Sequence, residues 1–141
     1  MKRIVDEKLI RWKDSPTRKP LILFGARQVG KTYALEHLGK ERFHSVVRLD
    51  FSRDASVADL FEGSLDPRRI IAAIEAARRT SILPEQTLLI FDEVQLCERA
   101  LASLKYFCED APEYCVATAG SLLGVRLRES GTFPVRCLLP R

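Results

Sequence analysis

The segment LILFGARQVGKTYAL, Leu21 to Leu35, constrains this chain more than any other. Four apolar residues run into Gly25, and a second glycine, a lysine and a threonine follow at Gly30, Lys31 and Thr32. An apolar run of that length predicts a buried strand, and KTYALEHLG predicts a helix stopped by Gly39. The sequence therefore passes from strand to helix through eight residues that match G-x-x-x-x-G-K-[ST] in full, Gly25 to Thr32.

That spacing has a physical reading. Gly25 and Gly30 allow backbone angles and close approaches that a side chain would block. The amides from Val29 to Thr32 can then point into one concavity at the positive end of the following helix, where phosphate oxygens fit. Lys31 would bridge terminal phosphates, and the Thr32 hydroxyl would ligate magnesium. Ala26, Arg27 and Gln28 complete the loop under weaker constraint, and Arg27 is open to simple solvation. A bare strand-to-helix turn with a surface lysine is the competing account; the strand before and the helix after argue against it.

The rest of the chain repeats the alternation. IVDEKLIRW places Ile4, Val5, Leu9 and Trp12 on one side of a helix, and KDSPTRKP breaks it. SVVRLDF reads as a second strand and ADLFEG as a short helix. DPRRIIAAIEAARR is the clearest helix, with Asp66 as cap and Pro67 in its first turn. TLLIFDE, ERALASLKYFCED and YCVATAG read as strand, helix and strand, GSLLGVRLRES opens with a short helix or turn, and FPVRCLLP is a fifth strand. Alternating strands and helices imply a mainly parallel sheet covered on both faces, with ligands at the carboxyl ends of its strands. Gly25, Asp92 and Gly120 all fall at such ends.

Asp92 closes LLIFD some sixty residues after the glycine-rich loop. A carboxylate there can hold magnesium, commonly through water. Glu93 follows directly, and a second acid can orient a water and accept its proton. The pair favours hydrolysis over phosphoryl transfer to a metabolite, which would need water excluded. In VATAGS, Ser121, in preference to Thr118, would sit near a terminal phosphate; Ser121 as a helix cap is an equal reading, and the two are compatible.

Composition narrows the remaining classes. With 141 residues, 46% of them hydrophobic, the chain suits one domain with a modest core. No apolar run approaches the ~20 residues that cross a bilayer, and charges recur from Lys2 to Lys13, so a membrane partner and a signal peptide are not expected. Cys97, Cys108, Cys115 and Cys137 form no CxxC pair, and His37 and His44 lie far from them, which argues against zinc and for reduced thiols in the cytoplasm. The net charge of +4 is carried by the ends: residues 1–20 hold seven basic and three acidic residues, and residues 120–141 four and one. Basic ends admit nucleic acid or an acidic partner, but no aromatic-and-basic stripe accompanies them, so solvated faces are preferred.

Taken together, RKPLILFGARQVGKT, TLLIFDEVQ, LASLKYF, AGSLLGV and FPV resemble the AAA+ ATPases, and more narrowly a group of predicted prokaryotic ATPases with a C-terminal domain of unknown function. The resemblance covers nearly the whole chain. It implies a three-layer αβα P-loop NTPase sandwich with a mainly parallel five-stranded sheet, residues 1–19 forming an N-terminal helix and linker and 20–141 the ATPase core. It also implies ATP at Gly25 to Thr32, Mg2+ at Thr32 and Asp92, Glu93 for hydrolysis with Lys31, and Ser121 as polar sensor of the terminal phosphate. Gln95 belongs to the group's pattern without an evident chemical role. Asp50 either modulates Glu93 or caps a loop, and the loop is preferred. Relatives continue into a helical lid and a further domain, whereas this chain stops at Arg141 and has Arg136 where glycine is usual. A truncated or frameshifted product, or an excised fragment, is therefore expected, with weak nucleotide binding and slow hydrolysis. AAA+ domains often assemble so that a neighbour's arginine completes the site; Arg126 and Arg128 are candidates here, although plain surface roles suit them better. A non-enzymatic nucleotide-dependent switch and a small-molecule kinase are the alternatives to an ATPase.

Overall fold

A computed structural model describes residues 4–15, 19–25 and 31–121. Helix α1 (Ile4–Asp14) leads into strand β1 (Leu21–Gly25), helix α2 (Lys31–Arg42) and strand β2 (Ser45–Asp50). Helix α3 (Pro67–Arg78), strand β3 (Thr87–Asp92), helix α4 (Glu98–Asp110) and strand β4 (Cys115–Ser121) follow. Two stretches of 3-10 helix, Ala55–Phe61 and Val94–Leu96, lie after β2 and β3. Among the described residues the sheet has four strands, all parallel, in the order β1-β4-β3-β2. The expected fifth strand, residues 133–140, lies outside them, as do the expected helix or turn after Ser121 and both Arg126 and Arg128.

Side-chain alternation assigns each strand residue to one of two layers. Ile22, Val47, Leu49, Leu89, Phe91 and Val116 join a core with α3, α4 and both 3-10 stretches. Leu21, Leu23, Leu88, Ile90, Cys115, Ala117 and Ala119 join a second core with α1 and α2. The sheet is therefore covered on both faces, and all six residues of β3 are buried, which is why TLLIFD reads as a continuous apolar run and not as an alternation. Phe91 sits at the centre of the first layer, with ring centroids 5.3 Å from Phe61, 6.2 Å from Phe51 and 6.5 Å from Phe107. Tilted and edge-on ring pairs of this kind add about 0.5–1.5 kcal/mol each beyond area burial.

Helix α3 forms as its ends dictate. Asp66 accepts from the Arg68 amide, Pro67 occupies the first turn, and Arg79 leaves the helix in the left-handed conformation. The first helix is fixed by Leu9 and Trp12, both buried, and by the Trp12 indole, which donates to the Lys19 carbonyl at 2.6 Å.

Helix α2 departs from expectation. Gly39 does not stop it; the helix runs on to Arg42. Gly39 is buried, and a Cβ added there would lie 2.2 Å from Cγ2 of Val46 and 3.3 Å from Cδ2 of Leu88. The glycine is therefore the residue that lets α2 lie close on β2 and β3, and its role is packing, not termination. Gly39→Ala should gain up to ~1 kcal/mol of helix propensity and lose more through the clash, for a net destabilisation of about 1–2 kcal/mol in urea unfolding. An unchanged or higher midpoint would show that Val46 has room to turn aside.

Candidate functional site

Parallel register brings the ends of distant segments to one edge. Gly25 lies opposite Ser121, Asp92 opposite Ala119, and Asp50 opposite Asp92. The start of α2 reaches the same edge: the Thr32 hydroxyl donates to Oδ1 of Asp92 at 2.9 Å, across sixty residues of sequence. Carboxyl ends of parallel strands, with a helix N-terminus beside them, are where such sheets take ligands.

The expected site residues distribute as follows. Thr32 and Asp92 are in contact. Lys31 is the first residue of α2, and Gly25 and Ser121 are the last residues of β1 and β4; the side chains of Lys31 and Ser121, and the whole of Ala26, Arg27, Gln28, Val29 and Gly30, lie outside the described residues. As β4 runs through Ser121, the expected helix or turn does not begin at Gly120. Thr118 is fully buried and donates its hydroxyl to the Leu21 carbonyl at 3.1 Å. It braces β4 against β1, three residues short of the strand end, and drops out as a contact for phosphate.

Glu93 breaks the strand. Its backbone is left-handed, with φ 57° and ψ 47°, a conformation that costs an L-residue roughly 1–2 kcal/mol. The turn is held in place by buried Val94 and by Leu96 and Cys97, whose amides donate to the carbonyls of Glu93 and Val94. Gln95 then folds back, and its amide nitrogen donates to Oε1 of Glu93 at 2.7 Å. The glutamine for which the sequence offered no chemistry is thus the residue that orients the candidate base.

The sequence also offered no role for Arg48. Its Nε and one terminal nitrogen donate to Oδ2 of Asp92 at 3.2 and 2.5 Å, and that same terminal nitrogen reaches Oδ2 of Asp50 at 3.1 Å. The other terminal nitrogen lies 3.4 Å from Oε2 of Glu36 on α2. Both oxygens of Asp92 are therefore engaged, in a carboxylate only 7% exposed. The contact follows from strand pairing, which the sequence does not give: Arg48 pairs in register with Ile90, and residues two apart share a face, so Arg48 and Asp92 are diagonal neighbours on adjacent strands.

The charges can be ordered by cause. Burial disfavours the Arg48 cation, but Asp92, through hydrogen bonding and charge, and then Glu36 and Asp50 outweigh it and hold the guanidinium protonated beyond its ordinary range. Burial likewise opposes ionisation of Asp50, yet the Ser52 hydroxyl and amide, then Arg48 and the Arg53 amide, pull its carboxyl below the usual carboxylate range. Ser52 donates both groups to Oδ1 of Asp50, at 2.6 and 2.9 Å, so Asp50 does cap the loop after β2.

These residues fit a magnesium ion by donor type. A hydroxyl and a carboxylate meet at a strand end, and magnesium takes one or two such oxygens, completing its shell from phosphate and water. Among the described residues no group of three or more His, Cys, Asp and Glu could hold a metal by itself, so an ion here would share its coordination with a ligand.

Comparison with known proteins identifies the family. Residues 17–138 match the family described as AAA domain. The chain belongs to that family. It is thereby an AAA+ superfamily domain, with a nucleotide-binding fold. The structure of C. elegans PCH-2 is similar at a TM-score of 0.50 and 15% identity, over 92% of this chain and 38% of that one, a likeness of fold. The AAA domain thus spans well under half of that longer chain. No curated protein matches it.

Asp50 supplies a pH test. Its depressed proton affinity contributes stability that is complete above the unfolded carboxylate value, about 3.9, and is lost as pH falls through the lower folded value. Urea unfolding at pH 7 and pH 3 should show a smaller acid loss for Asp50→Asn than for the wild-type AAA domain. Equal losses would remove Asp50 from the acid response.

Proposed function

We propose that this AAA domain binds ATP with magnesium and hydrolyses it by in-line attack of water. The observation that carries the proposal is the Thr32–Asp92 hydrogen bond, which joins the helix after the glycine-rich loop to the end of β3. In this reading, the amides from Val29 to Thr32 and the Lys31 ammonium receive the phosphates at the positive end of α2. Thr32 and Asp92 would hold the magnesium ion, which when bound neutralises charge developing on the phosphate oxygens. Glu93 orients water and accepts its proton, with Gln95 fixing the carboxylate that does so. Ser121, at the end of β4, senses the terminal phosphate.

Membership of the AAA family supports nucleotide as the ligand, and no helix among the described residues is long and apolar enough to cross a membrane. Assembly of several copies through this domain would let a neighbour's arginine add to the rate. Free thiols at Cys97 and Cys108 suit a cytoplasmic setting. The second reading is a nucleotide-dependent switch without turnover.

Titration with labelled ATP, followed by measurement of released phosphate, separates the readings. Lys31→Ala should abolish ATP binding, and retained affinity would count against the site. Glu93→Gln should keep ATP bound and lower turnover by roughly 100-fold or more. Binding without phosphate release, and indifferent to Glu93→Gln, would establish the switch instead.

A further inference from the structure

Arg48 is more than a structural partner of Asp92. Its side chain is 36% exposed and rises from β2, an edge strand among the described residues, on a long, flexible arm, whereas Asp92 is nearly buried and is also held by Thr32. Of the two, the arginine is the partner able to move. It also has somewhere to go: Glu36 and Asp50 already lie within 3.4 and 3.1 Å of its terminal nitrogens. Two carboxylates besides Asp92 therefore stand ready to counter the guanidinium wherever among them it sits.

We propose that Arg48 is the resident counter-cation of Asp92, and that its guanidinium shifts onto Glu36 and Asp50 when the Thr32–Asp92 pair takes up a divalent metal. The inference rests on the reading of Thr32 and Asp92 as metal ligands given above. A cation held against Asp92 repels a second cation, so metal alone binds poorly. Metal that arrives with a polyphosphate brings its own negative charge and further ligands, and binds well. Glu36 and Asp50 keep the guanidinium countered once Asp92 is given up to the metal, so Arg48 needs to shift but not to leave. Arg48 is thus a positioning residue that makes the site selective for a metal–nucleotide complex over the bare ion.

Manganese serves as the probe, with its binding followed by electron paramagnetic resonance in the presence and absence of ADP. Wild-type protein should bind Mn2+ weakly without nucleotide. Arg48→Gln should bind Mn2+ alone at least about 10-fold more tightly, Arg48→Lys should stay near wild type, and Arg53→Gln, which removes an 84% exposed cation 3.8 Å from Asp50, should change affinity less than about 2-fold. Equal Mn2+ affinity in wild type and Arg48→Gln, or equal gains in Arg48→Gln and Arg53→Gln, would overturn the proposal. Should Arg48→Gln fail to fold, the Nε–H resonance of Arg48 in wild-type protein decides: it should shift on addition of Mg2+ with ADP, and a resonance that stays put refutes the inference. A chain that binds no nucleotide at all would sink the proposed function, while the Mn2+ comparison without nucleotide would still judge Arg48.

Discussion

The hydrogen bond between Thr32 and Asp92 is the constraint on which the rest depends. It requires that β1 and β3 run parallel, that both end at the same edge, and that α2 begin at that edge. Each requirement is met by packing, because the buried residues of β3 press against helices on both sides and leave the strand one register. The Phe91 layer beneath it therefore holds Asp92 within reach of Thr32. The same packing lets a carboxylate remain nearly buried at a strand end, since three donors from Thr32 and Arg48 replace the water it has lost.

Around that fixed pair the structure is arranged in two halves of different character. Thr32 stands at a helix start and Asp92 at the end of a fully buried strand. Glu93 and Gln95 stand on a left-handed turn whose backbone is pinned, and Arg48 on β2, and their side chains meet their partners through hydrogen bonds. A site built this way has fixed oxygens to receive a ligand and adjustable groups that respond to it. The Gln95–Glu93 and Arg48–Asp92 contacts are the two adjustable points, one at the candidate base and one at the candidate metal ligand.

Much of this was legible in the chain before its structure. Runs such as LILF and TLLIFD signal buried parallel strands since both faces demand apolar residues, and Asp66 with Pro67 announces a helix start through local chemistry alone. What escaped was set by contacts between elements. Gly39 carries the same letter whether it ends a helix or admits a neighbouring strand, and only the approach of Val46 decides between them. Thr118 looked available near a strand end until the pairing of β4 with β1 gave its hydroxyl a carbonyl. Arg48 lies in the middle of a strand, where a charge reads as an outward-facing edge residue; its partner is revealed only when β2 is known to lie beside β3.

The most direct measurement is a crystal structure of this AAA domain soaked with magnesium and a non-hydrolysable ATP analogue. The account predicts the triphosphate against the amides that open α2, with a metal ligated by Thr32 and within one water of Asp92. A nucleotide bound elsewhere, or a metal beyond the reach of Asp92, would contradict it.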